Sequence, residues 1–275
     1  MSTSSICTRL PQNSAVRPRK RLSGLKSRLI QLRLMASEAL LPRLYYTQMR
    51  PVYEPVDWNR DRRIYERLHD WHHLRDGNRV LQAHLLLDRV KALPYGDYAE
   101  VGTYRGNYAR LIHARMAGDA KFYCFDTFEG FDHLDVGTEA AVSGLHTRAG
   151  LFSDTSLGVV ARNITDGVSS DRLVLRQGFF PQTFAGLEDH KWRFVLLDAD
   201  LYAPIKAGLE AFWPGLVSGG FIVVHDYLSD HYKGVRQAVD EFFDPLGVVP
   251  IPWPDRVGSA VIVKPRRRSK VAEDL

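Results

Sequence analysis

From Gly96 onward the chain alternates short apolar runs with amphipathic stretches, and that alternation predicts the architecture. Tyr98–Val101, Lys121–Phe125, Leu173–Arg176, Phe194–Leu197 and Phe221–Val224 are built largely of aliphatic, β-branched and aromatic residues. Between and after them, Asn107–Met116, Ser156–Ile164, Pro204–Val217 and Gly234–Phe243 carry helical spacing, the third closed by Gly219-Gly220. Runs of this length separated by helices read as buried parallel strands in βαβ units. Val248–Trp253 and Ala260–Val263, joined by Pro254-Asp255-Arg256-Val257-Gly258, read as a hairpin. The expected fold is α/β, with a doubly wound, mostly parallel seven-stranded sheet that ends in an antiparallel hairpin. Phe131–Gly150, with Gly137, Gly144 and Gly150, is expected as a long, mobile loop facing the substrate.

The segment before Gly96 has another character. Residues 1–21, rich in Ser, Thr, Pro and basic residues, predict disorder. Leu22, Leu25, Leu29 and Leu32 follow at helical spacing with Lys26, Arg28 and Arg33 alongside. Such a helix either contacts a membrane surface or partner, or packs on its own domain or a dimer mate, which is the commoner fate. Trp58–Leu93 reads as helical with a break near Gly77, a lid before the main domain. His69, His72 and His73 share one helical face there and read as a solvated or half-buried face rather than a metal site. The expected division is a basic arm over 1–50, a helical lid over 51–95, a catalytic domain over 96–265 and a basic tail over 266–275.

Charge follows the same division. Residues 1–50 hold ten Arg and Lys against Glu38 alone, while the whole chain of 275 residues carries +5. The remainder is therefore mildly acidic, which argues against nucleic acid as substrate. Cys7 and Cys124 form neither a disulfide framework nor a metal pair. With no run of membrane-spanning length, a cytoplasmic protein is expected.

Chemistry is expected where acids and glycines cluster at strand ends, because ligands of such sheets bind beyond the carboxyl ends of the strands. The first strand runs into Glu100-Val-Gly102-Thr-Tyr-Arg-Gly106, whose glycines allow a tight turn, and the helix after it offers free N–H groups to an anion. Asp126 ends the second strand, where an acid can accept both hydroxyls of a ribose. Gly178 marks the exit of the third strand and is counted with the same site. The G-x-x-x-G spacing disfavours a dinucleotide, and E-x-G-x-x-x-G fits an S-adenosylmethionine (SAM) turn. Asp198 and Asp200 follow the fourth strand, and His225 and Asp226 the fifth.

Phe125–Phe131 (FDTFEGF), Leu196–Tyr202 (LLDADLY), Gly219–Tyr227 (GGFIVVHDY) and Gly234–Phe242 (GVRQAVDEF) together resemble the macrocin O-methyltransferase family, over roughly residues 96–263. The resemblance implies a Rossmann-like class I methyltransferase fold, SAM as donor, a sugar hydroxyl as acceptor and a divalent metal, usually magnesium. It implies Asp198 and Asp226 as metal ligands and Asp200 as general base. His225 stands where the family usually has Asp; as a third ligand it would favour a softer metal than magnesium. Similarity of EVGTYRG to the turn of catechol methyltransferases implies that Tyr104 contacts the methionine carboxylate. The expected partner is a small-molecule glycoside or sugar, met by a self-associating enzyme. Asp200 also has a structural alternative, as N-cap of the next helix. A non-catalytic SAM- or nucleoside-binding protein and, further off, a hydrolase are the competing functions.

Overall fold

The computed structural model describes residues 76–265. The basic arm, the Trp58–Leu93 helix before Asp76, the three histidines and the tail beyond residue 265 lie outside these described residues. The strands are β1 (Asp97–Val101), β2 (Phe122–Asp126), β3 (Leu173–Gln177), β4 (Trp192–Leu197), β5 (Leu216–Val224), β6 (Ile251–Trp253) and β7 (Ser259–Val263). They form one sheet in the order β3-β2-β1-β4-β5-β7-β6. The first five are parallel, and β7 runs antiparallel to both β5 and β6. The strand order reverses beside β1, between β2 and β4, and a crevice at the carboxyl ends of the strands follows from that topology.

Residue alternation along the strands supplies two cores. Val101, Phe125, Val195, Leu197, Ile222 and Val224 project to one side, where α5 (Tyr202–Gly215) and α6 (Lys233–Phe243) contribute Ile205, Leu209, Phe212, Val235 and Val239. Tyr98, Phe122, Cys124, Phe194, Leu196 and Val223 project to the other. Helices α1 (Gly77–Val90), α2 (Asn107–Arg115) and α4 (Leu157–Thr165) cover that side with Ala83, Leu87, Ile112, Val160 and Ile164. Strands buried on both faces are continuous apolar runs for this reason. Among the described residues no helix is long and apolar enough to cross a membrane.

Two expectations are corrected. Phe131–Gly150 is not a plain loop, because α3 (His133–Ser143) occupies its centre. Asp132 caps that helix through a bond from Leu134 N, and Gly144 ends it in the left-handed conformation (φ 73°), so both stop signals were present in the sequence. The fifth strand also begins earlier than expected. Helix α5 ends at Gly215 and β5 starts at Leu216 without an intervening loop, so Gly219-Gly220 lie inside the strand. Trp192 pairs Leu216 and Phe194 pairs Phe221, so β5 bulges between these two points. Gly219, at φ 83°, takes the left-handed position there.

The start of α1 is fastened to the far end of the chain. Asp76 caps the helix through Arg79 N and also accepts from Arg256 N. Asn78 Nδ2 donates to the Pro254 carbonyl, and Trp253 Nε1 donates to the Asn78 carbonyl.

Candidate active site

The turn after β1 is shaped by Asp126 of β2. Its two carboxylate oxygens accept from Tyr104 N and Phe128 N, each at 2.7 Å. Both donors sit in left-handed backbone, at φ 49° and 56°, a conformation that costs a non-glycine residue energy unless its surroundings hold it. Asp126 is thus a staple as well as a cavity wall. Burial raises its pKa, an effect that the N–H bonds of Phe128 and Tyr104 only partly offset.

Glu100, buried in β1, leaves Oε2 without a hydrogen bond. Its pKa is pushed well up by burial and by the charge of Asp198. Gly102 is required by close approach: at φ 86°, a Cβ there would stand 2.1 Å from the Asp198 carbonyl oxygen. Tyr104 donates its hydroxyl to Asp154 at the exposed rim, where Arg105 also pairs with Asp154 and Phe152 stands edge-on to the Tyr104 ring. These contacts fold the 150–155 segment over the turn. Gly106 is the exception among the expected cofactor residues. It does not line the cavity, and its missing side chain makes room for Ile164 and Val160 of α4.

Beyond β4 and β5 the acids converge. One ligand atom each from Asp198, Asp200, His225 and Asp226 lies within 4.8 Å of the others. His225 Nδ1 stands 2.8 Å from Asp198 Oδ1 and 2.6 Å from Asp226 Oδ2, without a well-aligned hydrogen bond to either. On the opposite side Arg79 of α1 reaches 2.5 Å from Asp198 Oδ2, with its guanidinium over the Tyr108 ring. Burial alone would raise Asp198, but Arg79 and His225 hold it far below the usual carboxylate range. Burial and Arg79 oppose protonation of His225, yet Asp198 and Asp226 outweigh them and push its pKa up to about 10. Burial, then Asp226 and Asp198, drive Asp200 well above the ordinary value.

Asp200 does not cap α5. The N-cap position is Leu201, with no side-chain bond of its own. Tyr202 N instead donates to Glu139 Oε2 of α3, at 2.7 Å. Asp200, at φ 60° in left-handed backbone, is left facing the acidic cluster. Arg79 and Glu139 are the residues that sequence reasoning missed. Arg79 precedes the region of motif, and Glu139 sat in a segment read as loop.

One cavity of about 210 Å³ is lined among others by Glu100, Gly102, Asp126, Gly178, Asp198, Asp200 and His225, but not by Asp226. Asp126 and Gly178 lie at the β2–β3 end and Asp200 and His225 at the β4–β5 end, so a molecule with two functional ends can span it.

The family described as Macrocin-O-methyltransferase (TylF) matches residues 76–258. The 8-demethyl-8-(2,3-dimethoxy-alpha-L-rhamnosyl)-tetracenomycin-C 4'-O-methyltransferase of Streptomyces olivaceus is 28% identical over 159 residues, covering 56% of this chain and 60% of that protein. The mycinamicin III 3''-O-methyltransferase of Micromonospora griseorubida is 27% identical over 161 residues, covering 56% and 62%. The chain thus spans about three fifths of these relatives' length. The solved structure of the O-methyltransferase NovP superposes with a TM-score of 0.60 at 22% identity, covering 69% of this chain and 80% of that one. The calicheamicin methyltransferase CalS11 gives 0.55 at 20% identity, covering 93% and 99%. The likeness to these two structures is one of fold.

Proposed function

This chain belongs to the macrocin-O-methyltransferase family, and from that premise we propose that it transfers a methyl group from SAM to a hydroxyl of a sugar. The acceptor would be a glycosylated natural product, a nucleotide sugar or a surface polysaccharide residue. The observation that carries the reading is the shared cavity: a ribose-type acid, Asp126, and a proton-accepting acid, Asp200, line the same space. The same reading sets the protein in the cytoplasm, where its donor is met.

Donor binding would fall to the β1–β3 end. Asp126 keeps lone pairs for the ribose hydroxyls after serving Tyr104 and Phe128, since each carboxylate oxygen accepts more than one bond. Glu100, with one oxygen unpartnered, suits the ammonium of the methionine moiety. The cluster beyond β4 and β5 fits a divalent cation, because the His225 nitrogen and the carboxylate oxygens lie within 4.8 Å of one another and that nitrogen lacks an aligned hydrogen bond. Asp198, His225 and Asp226 would hold it, and once bound it would make the acceptor hydroxyl more acidic. The mixed N/O donor set suits a metal softer than magnesium. Asp200 takes the proton as the hydroxyl oxygen attacks the sulfonium methyl and the methyl–sulfur bond breaks, its electron pair staying on sulfur in the departing S-adenosylhomocysteine. Burial and the neighbouring carboxylates raise its pKa, so it holds the abstracted proton more tightly than an exposed carboxylate would. The cavity wall holds both partners in line, which removes the entropic cost of their meeting.

A metal-independent version of the reaction is favoured by one feature. Arg79 and a protonated His225 already balance the charges of Asp198 and Asp226. Turnover measured after chelation, then with magnesium, manganese and cobalt in turn, separates the two. Calorimetry should show SAM and S-adenosylhomocysteine bound, with Asp126→Ala weakening them by roughly 1.5–3 kcal/mol. Asp200→Asn should keep that affinity and lower turnover by roughly 10²–10⁴-fold. A folded protein that binds neither nucleoside, or an Asp200→Asn variant with full turnover, would overturn the proposal.

A further inference from the structure

Glu139 has a position that the motifs do not account for. It is a fully buried carboxylate on α3, far in sequence from every acid of the cluster. Oε2 accepts from Tyr202 N at the start of α5, and Oε1 accepts from Gly234 N at the start of α6, at 3.3 Å. Ser143, one turn on, donates its hydroxyl to the same group. Each helix N-terminus presents unpaired N–H groups and a partial positive charge, so one carboxylate is stabilised by two dipoles at once. The approach is close enough to restrict Gly234: a Cβ there would lie 2.3 Å from Glu139 Oε2.

The two helices Glu139 joins are the ones that carry the site. Asp198 and Asp200 immediately precede α5, and His225 and Asp226 precede α6 by a short turn. A helix that starts just after an Asp is ordinarily capped by that Asp. Here α5 has no cap of its own and takes Glu139 in its place. We propose that Glu139 is a positioning residue for methyl transfer: it caps α5 and α6 from a third helix, so that Asp200 is released from capping and faces the acceptor hydroxyl. With Glu139 removed, Asp200, two residues before Tyr202, has the sequence spacing to satisfy Tyr202 N in the manner of an Asx turn. A base that turns back onto its own helix no longer meets the substrate. The proposal rests on the methyltransferase reading for its kinetic arm and on geometry alone for its structural arm.

The test uses the full chain with Glu139→Gln, Glu139→Ala and, as a change that leaves the carboxylate in place, Gly234→Ala. Hydrogen exchange should quicken at least tenfold in Glu139→Ala for both 199–206 and 230–238. Exchange at wild-type rates in either segment overturns the clamp, whatever the enzyme's activity. In kinetics, kcat should fall at least thirtyfold in Glu139→Ala and less in Glu139→Gln, with the Kd for SAM unchanged within twofold. Placed in an Asp200→Asn background, Glu139→Ala should cost less than threefold further, because its effect passes through Asp200. Should Glu139→Ala multiply the Asp200→Asn loss in full, or should SAM affinity fall in step with kcat, Glu139 is a general support of the fold and the positioning role is wrong. If Glu139→Ala does not fold, Gly234→Ala must show the quickened exchange and the kcat loss, or the proposal fails. A wild-type protein without methyl transfer removes the kinetic arm and the proposed function together, and leaves the exchange result to decide the clamp.

Discussion

Arg79→Met probes the pairing that no motif announces. The substitution keeps an unbranched apolar stem and removes the cation 2.5 Å from Asp198 Oδ2, in a pair whose side chains are 6% and 17% exposed. Removing one partner of a buried pair costs roughly 3–5 kcal/mol, because the other charge is left uncompensated. His225 Nδ1 still stands 2.8 Å from the other oxygen of Asp198, so the expected loss is at or below the lower end, about 2–3 kcal/mol. With a urea m-value of roughly 2–3 kcal/mol/M for a domain of this size, the midpoint should fall by about 1 M. Adding Asp198→Asn should restore part of the loss, since both charges are then gone, and a double-mutant cycle should report a coupling of about 1–3 kcal/mol. The sign with pH follows from the depressed pKa of Asp198. Its contribution is present above the unfolded value near 4 and is lost as pH falls below it, so Arg79→Met should narrow the gap to wild type in strong acid. A loss under about 0.5 kcal/mol, or strictly additive single variants, would refute the pairing as a contributor to stability.

Two further outcomes are expected. His225→Asp replaces a nitrogen donor with an oxygen and should move the metal that best supports turnover toward magnesium; identical metal titrations for variant and wild type would remove His225 from the cation site. Asp135, also on the cavity wall, is pushed up to about 6 by burial and by Asp132. The folded state therefore holds its proton more tightly than the unfolded chain, and stability drops as pH rises from about 4 to 6. Discounted for partial exposure, Asp135→Asn should gain about 1 kcal/mol at pH 7.5, or roughly 2–4 °C in melting temperature, and nothing at pH 4. An equal gain at both pH values would show that charge is not the cause.

The sheet was legible because strands buried on both faces leave runs of four to six apolar residues, and the acids that end them mark the rim. Asp126, Asp198, Asp200, His225 and Asp226 stand at such strand ends. What the sequence hid is long-range. Glu139 looks like any surface glutamate until α3 is seen across two helix starts, and Arg79 gains meaning only when Asp198 arrives beside it. Gly106 is ambiguous for a related reason: a glycine that accommodates a neighbouring helix, as this one does beside Ile164 and Val160, has the same letter as one that accommodates a ligand. The helix in 131–150 was within reach, since Asp132 and Gly144 are ordinary start and stop signals, but three glycines drew attention to flexibility. Asp200 as a cap was a sound local reading, overridden by a tertiary bond.

The fastening of α1 to the β6–β7 hairpin bears on how the site comes into being. Asn78 to Pro254 and Asp76 to Arg256 are contacts between residues 176 and 180 positions apart. Contacts of such separation form late, because the loop between their ends must be closed before they repay it. On a chain growing from its N-terminus, Arg79 is made well before the hairpin that holds its helix in register. A chain not yet extended through the hairpin therefore carries every acid of the cluster before the helix of Arg79, the cation beside Asp198, is fastened. Assembly of the charge balance is thereby tied to synthesis of the hairpin, and a truncation within residues 253–256 would act on a site built from residues far upstream of it.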